Sequence, residues 1–234
     1  MIDTILFDLG NTLVRYYQGH EFSAVLERSL GAARGSLRDA GYAAEPFDVI
    51  RERAAAENHE AADDRTRPLE GRLARIFSID PLDAALLENT ARQFMAPIFE
   101  MGVVYEDTFP ALAGLRGQGY RIGIVSNSPW GCPASLLHDE LRRLGLTGLY
   151  EVAIFCVEIG WRKPSSHIFR HALERMGAEA GKTLFVGDDT EWDVSGPKRV
   201  GMHAVLIDRA GRPRDAGVRV IGSLGETLDL AGLL

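Results

Sequence analysis

The chain has 234 residues, 46% of them hydrophobic and 25% charged, with a net charge of −7. That length and balance describe a globular protein with room for a sizeable core and exclude extended disorder. The negative charge gives no overall attraction to nucleic acid or an anionic membrane, and no apolar run is long enough to span a bilayer as a helix.

The first residues carry neither the basic segment nor the long apolar stretch of a signal peptide, which predicts a cytoplasmic protein. Ile5, Leu6 and Phe7 form a short apolar run that ends in Asp8 and is followed by Leu9-Gly10-Asn11. This pattern predicts a buried strand that delivers a carboxylate to a loop at its carboxyl end. A carboxylate there is costly unless a cation compensates it.

From about residue 17 the period changes to that of helices. Phe22, Val25, Leu26, Leu30, Ala33 and Leu37 recur at helical spacing up to Gly41. A polar helical stretch is expected from Pro46 to Ala62, and another helix from Asp80 to Phe99. Between them lies the charged connection Asp63-Asp64-Arg65-Thr66-Arg67-Pro68. The predicted organisation is therefore a core of residues 1–16 and 103–234 with an all-helical insertion over 17–102. The apolar helical faces suit either a monomer or a homodimer.

Beyond Thr108, helices and strands alternate. Helix Phe109–Arg116, strand Arg121–Val125, helix Ser135–Leu144, strand Glu151–Val157, helix Ser165–Met176 and strand Thr183–Val186 are predicted in turn, with His203–Ile207 as the last strand. Pro164 and Gly177 bracket the third of these helices. Such alternation implies an α/β fold, a parallel sheet covered by helices on both faces. Cys156 in an apolar run and Cys132 in a loop read as reduced thiols rather than a disulfide framework.

In a parallel sheet the strand ends carrying Asp8, Ser126, Lys163, Asp188 and Asp193 lie on one side and converge on one crevice. Three carboxylates and one lysine there suit a divalent cation and an anionic group. Phe7-Asp8-Leu9-Gly10-Asn11-Thr12-Leu13, the strand end at Ser126, Lys163-Pro164 and Gly187-Asp188 with Asp193 resemble, in order and spacing, the four motifs of the haloacid dehalogenase-like hydrolase superfamily.

The resemblance implies a Rossmann-like three-layer α/β/α core, a mobile helical cap domain and phosphatase chemistry through a phosphoaspartate. On a small phosphorylated substrate, Asp8 would be the nucleophile. Asp8, the backbone carbonyl of Gly10 and Asp188 would hold Mg2+, with Asp193 as a further acidic contact. Ser126, the amides beside it at Asn127, and Lys163 would hold the phosphoryl group. Taken singly, Ser126 and Asp193 could also be helix caps. Trp130 and Trp161 could wall the substrate or simply pack their loops. Arg53, His59, Arg65 and Arg67 are candidate contacts from the insertion, or a solvated face.

Gly10 stands where the family's phosphatases usually carry a second aspartate that protonates the leaving group and activates water. The departure leaves three readings open. The leaving group needs little protonation, as in a sugar 1-phosphate, acyl phosphate or aryl phosphate; or Asp189, Glu191, Glu158 or His59 takes over; or the substrate is a 2-haloacid, whose halide leaves without a proton. The dehalogenase branch of the family works without a metal, whereas Asp188 and Asp193 are retained here, which favours the phosphatase. A binding or regulatory protein without turnover is the reading from another class.

Overall fold

The computed structural model describes residues 1–43, 45–59, 62–209, 211 and 217–232. The chain starts with β1 (Thr4–Phe7) and β2 (Val14–Arg15). Four helices follow, α1 (Phe22–Asp39), α2 (Phe47–Glu57), α3 (Leu69–Phe77) and α4 (Ala84–Glu100), and then β3 (Val103–Val104). Next come α5 (Thr108–Gly117), β4 (Arg121–Ser126), α6 (Ala134–Arg143), β5 (Val152–Phe155), α7 (Cys156–Ile159), α8 (Ser166–Met176) and β6 (Thr183–Gly187). A π-helical turn over Thr190–Ser195 leads into α9 (Gly196–Lys198), β7 (His203–Ile207), β8 (Val220–Ile221) and α10 (Glu226–Ala231).

Six strands form one parallel sheet in the order β5-β4-β1-β6-β7-β8. Alternation along the central strands builds the layers. Ile5 and Phe7 of β1, Ile124 of β4 and Val186 of β6 join one apolar cluster with Leu112 and Leu115 of α5. Leu6, Val125 and Phe185 join another with Ile168, Phe169 and Ala172 of α8. Because both faces are covered, these strands read as continuous apolar runs. This is the three-layer Rossmann-like arrangement expected from the alternation of elements.

The helices α1 to α4 lie between β2 and β3, which pair antiparallel with Val14 opposite Val104. Helix α1 packs along α4, and α3 packs against α2 and α4. Val25, Leu30, Ala33 and Leu37 give α1 its buried stripe. At the start of α4, Asp83 accepts a hydrogen bond from the Leu86 amide at 3.1 Å and so satisfies one free N–H of the first turn.

Several boundaries differ from expectation. The polar helix expected to reach Ala62 ends at Glu57; residues 60 and 61 of that stretch lie outside the described residues. Helix α3 is additional, a nine-residue segment entered from Pro68 and closed by Ser78 at φ +54°. The strand expected to run to Val157 stops at Phe155, because Glu158 accepts from the Phe155 amide at 2.7 Å and starts α7. His203–Ile207 is not the last strand, since β8 and α10 follow it. Pro197 sits in the first turn of α9, where a missing N–H costs little. Both cysteines are buried and free. Among the described residues no helix is long and apolar enough to cross a membrane.

Candidate active site

Sheet register sets the site. Phe7 lies opposite Ile124 of β4 on one side and Val186 of β6 on the other, so Asp8, Ser126 and Asp188 emerge together at the carboxyl edge. The Asp8 amide donates to the Val186 carbonyl at 2.9 Å, extending the ladder as far as this side chain. Lys163 arrives from the loop after α7, and Asp193 from the π-helical turn.

Lys163 is 1% exposed and its Nζ lies 2.6 Å from both Asp8 Oδ1 and Asp193 Oδ1. Ser126 Oγ donates to the same Asp8 Oδ1 at 2.9 Å. Asp193 Oδ2 accepts from the Asp189 amide at 3.1 Å, so both of its oxygens are engaged. Gly187 makes this approach possible: a Cβ there would lie 2.4 Å from Asp193 Cγ.

The charge balance of the site is uneven. Carboxylate oxygens of Asp8, Asp188 and Asp193 all come within 4.8 Å of one another. Burial, then the charges of Asp8 and Asp193, push Asp188 up to about 7. Asp193 is raised to about 6, chiefly by burial, with Lys163 opposing the shift. Burial opposes the charge on Lys163, yet Asp193 and Asp8 outweigh it and hold its pKa above the ordinary lysine value. Three carboxylates facing one ammonium leave an excess of negative charge, and their hard oxygens fit a divalent cation.

Asn127 fixes the Lys163 loop: its Nδ2 donates to the Lys163 carbonyl at 3.2 Å and its Oδ1 accepts from the Lys163 amide at 2.8 Å. The expected substrate contact thus has its side-chain amide committed to backbone. Gly10 lines the cavity, takes no positive φ, and a Cβ there would meet nothing within 4 Å. Neither backbone nor space at the Cβ therefore requires glycine here.

A cavity of about 490 Å³ opens above Asp8, walled by Tyr16 and Tyr17 after β2, by Phe22 of α1 and by Ile98 and Phe99 of α4. Trp130 lines it with backbone at φ +56° and its ring edge-on to Phe94 at 5.4 Å, so both expected roles, wall and packing, fall to one residue. Trp161 does not line it; its ring is stacked on His167 at 4.2 Å. Of the four groups considered as replacement acids, only Asp189 lines the cavity, with Oδ1 accepting from the Glu191 and Trp192 amides at 2.9 and 2.8 Å. Glu158 caps Phe155, Glu191 pairs with Arg199, and His59 bonds the Ala56 carbonyl.

Arg53, Arg65 and Arg67 also lie away from the cavity. Arg53 bonds Ser78 at 2.8 Å, Arg67 pairs with Asp63 at 2.9 Å, and Arg65 covers Trp161. The arginines that do line it are Arg72 of α3, donating to the Glu57 carbonyl at 2.9 Å, and Arg162, whose guanidinium lies 4.9 Å over the Trp192 ring. The expectation missed Arg72 along with its helix. Arg162 was legible as the neighbour of Lys163.

The family pattern described as haloacid dehalogenase-like hydrolase matches residues 2–201. The chain belongs to this hydrolase family. A ribulose-1,5-bisphosphate 5-phosphatase of Halopiger xanaduensis is 31% identical over 98% of this chain and 99% of its own. A haloacid dehalogenase-like phosphatase structure from Thermococcus onnurineus matches at 26% identity and TM-score 0.69, covering 99% of this chain and 98% of that one. A 2-haloacid dehalogenase structure from Pseudomonas syringae, 20% identical and covering all of both chains at TM-score 0.72, shares the fold. The matched segments span 57% and 44% of the lengths of two further curated phosphatases.

Proposed function

We propose that the chain is a Mg2+-dependent phosphomonoester hydrolase that acts on a small phosphorylated metabolite through a phosphoaspartate on Asp8. The cluster of buried Asp8 and Asp193 with half-buried Asp188, facing a single lysine, carries this reading. Asp8, the Gly10 carbonyl and Asp188 would hold the ion, with Asp193 as a further acidic contact, direct or through water. When bound, Mg2+ supplies Lewis-acid polarisation of a phosphoryl oxygen.

The chain's own groups do the rest. Lys163 and Ser126 hold Asp8 Oδ1 and so fix its carboxylate at the cavity it lines. Oδ2 attacks phosphorus as the bond from phosphorus to the leaving oxygen breaks, while Lys163 offsets charge on the transferring group. Water then attacks the phosphoaspartate, releasing phosphate and freeing Asp8. Gly10 offers no proton to the departing oxygen, so good leaving groups are favoured. Asp189 is the cavity-lining carboxylate placed to assist.

Residues 17–102 would act as a cap closing over the core of residues 1–16 and 103–234, excluding water and choosing the leaving group. The relative acting on ribulose 1,5-bisphosphate supports a sugar-phosphate-sized substrate. The net charge of −7 favours a small-molecule substrate over nucleic-acid or membrane partners.

The test is phosphate release from sugar phosphates, acyl phosphates and p-nitrophenyl phosphate, with Mg2+ and then excess chelator. Chelator-sensitive release that Asp8→Asn abolishes while its far-UV spectrum is unchanged is expected. Full activity in Asp8→Asn overturns the mechanism. Halide release from a 2-haloacid, insensitive to chelator, would replace the phosphatase by a dehalogenase, and silence in both assays would leave a binding protein.

A further inference from the structure

Residues 63–67 belong to the insertion, between α2 and α3, yet their backbone is tied to the loop that carries Lys163. The Arg162 amide donates to the Asp64 carbonyl at 2.9 Å, and the Thr66 amide donates to the Gly160 carbonyl at 3.1 Å. Between these bonds Arg65 and Trp161 face each other as a single antiparallel bridge. Thr66 Oγ1 adds a bond to the Cys156 carbonyl at 3.2 Å.

Side chains reinforce the junction. The Arg65 guanidinium lies 3.9 Å over the Trp161 ring, and that ring is stacked on His167 at 4.2 Å and 6°. The same segment runs close against the loop after β4: a Cβ on Gly131, at φ +73°, would lie 1.9 Å from the Arg67 carbonyl oxygen. Lys163 stands two residues beyond Trp161, and Asn127 holds its backbone from the other side.

The loop over 160–163 is thus gripped between a strand end of the core and a segment of the insertion. Hydrogen bonds that cross from the insertion, read above as a closing cap, to the loop that supplies the site's ammonium couple the two, and the coupling is reciprocal. We propose that residues 64–66 are a clasp that positions the Lys163 loop, so that Asp8 is fully compensated only while the insertion is closed over the site. Arg65, Thr66 and Trp161 are then positioning residues, remote from the substrate. The kinetic part of this inference rests on the phosphatase reading; the structural part does not.

The structural part is read by trypsin on the full chain. Arg65–Thr66 is a cleavable bond inside the clasp, whereas Arg67 precedes Pro68 and resists. If the clasp and the Lys163 loop are coupled, Asn127→Ala, made on the far side of that loop, speeds cleavage after Arg65 by about 3- to 30-fold through local opening. An unchanged cleavage rate overturns the proposal.

The kinetic part uses Arg65→Ala, Trp161→Leu and Thr66→Ala, with Thr66→Ser as the conservative partner. With p-nitrophenyl phosphate, and with active sites titrated so that poorly folded protein is discounted, the first three lower kcat by about 3- to 30-fold at nearly unchanged KM, and Thr66→Ser retains it. Effects confined to KM, or equal loss in Thr66→Ser and Thr66→Ala, overturn it. Should the wild-type chain release no phosphate at all, the phosphatase reading fails and the proteolysis result alone decides the clasp.

Discussion

Replacing Lys163 by Met keeps an unbranched stem over the Phe185 ring, 5.4 Å from Nζ in the wild type, and removes only the ammonium. Two carboxylate oxygens at 2.6 Å then lose their partner in a position 1% exposed. Removing one partner of a buried ion pair costs about 3–5 kcal/mol. At about 2–4 °C per kcal/mol for a chain of this size, Tm should fall by roughly 6–20 °C at pH 8.

The sign of the pH dependence follows from the two partners. Lys163 is held above its ordinary pKa, so the stability it contributes is present throughout the range below that value and is lost only as pH rises beyond it. Between pH 5 and 8 the change in the variant therefore comes from the carboxylates. Asp188 and Asp193 are already raised to about 7 and about 6, and without the ammonium they take up protons more readily still. The Tm deficit should shrink at pH 5, and millimolar Mg2+ should restore part of it at pH 8. Thermal melts of both proteins at the two pH values, with and without Mg2+, provide the assay. A deficit under about 2 °C at pH 8, or one independent of pH, would refute the view that Lys163 compensates buried carboxylates.

Three further outcomes are expected. Gly10→Asp, placed where a side chain meets nothing within 4 Å, should raise kcat toward alkyl phosphates by up to about 10²-fold and toward p-nitrophenyl phosphate very little, since only a poor leaving group needs the proton; equal effects on both would sink the argument from Gly10. In the wild-type protein without metal, the folded state binds more protons than the unfolded one between about pH 4 and 7, because Asp188 and Asp193 sit above the usual carboxylate range. Stability should decline as pH rises through that window, and the gain in Tm on adding Mg2+ should be larger at pH 8 than at pH 5; calorimetry at both values checks it. Gly187→Ala drives a Cβ to within 2.4 Å of Asp193 and should cost about 1–3 kcal/mol along with activity, whereas Gly117→Ala meets nothing and should change denaturation midpoints very little.

Much of this architecture is written in local pattern. Ile5-Leu6-Phe7 before Asp8, Arg121–Val125 before Ser126 and Thr183–Val186 before Gly187-Asp188 announce buried strands by apolar runs broken at a polar loop, and the parallel sheet follows from the helices between them. The helical period of residues 22 to 37 likewise announces α1. Short elements are where such signals run out. Helix α3 has only nine residues, and β8 has two, too few for a period to rise above the surrounding loop.

What only the tertiary structure decided is which polar groups share a partner. Lys163 reaches Asp8 across 155 positions of sequence and Asp193 across 30, and Asn127, which lines the cavity, ties its side-chain amide to the Lys163 backbone. Arg65, from the segment between α2 and α3, and Trp161, from the loop before Lys163, face each other. Periodicity records which face of an element is buried, because each residue faces core or solvent by itself. The pairing of charges depends on sheet register and on loops closing over long separations, and no local pattern encodes that.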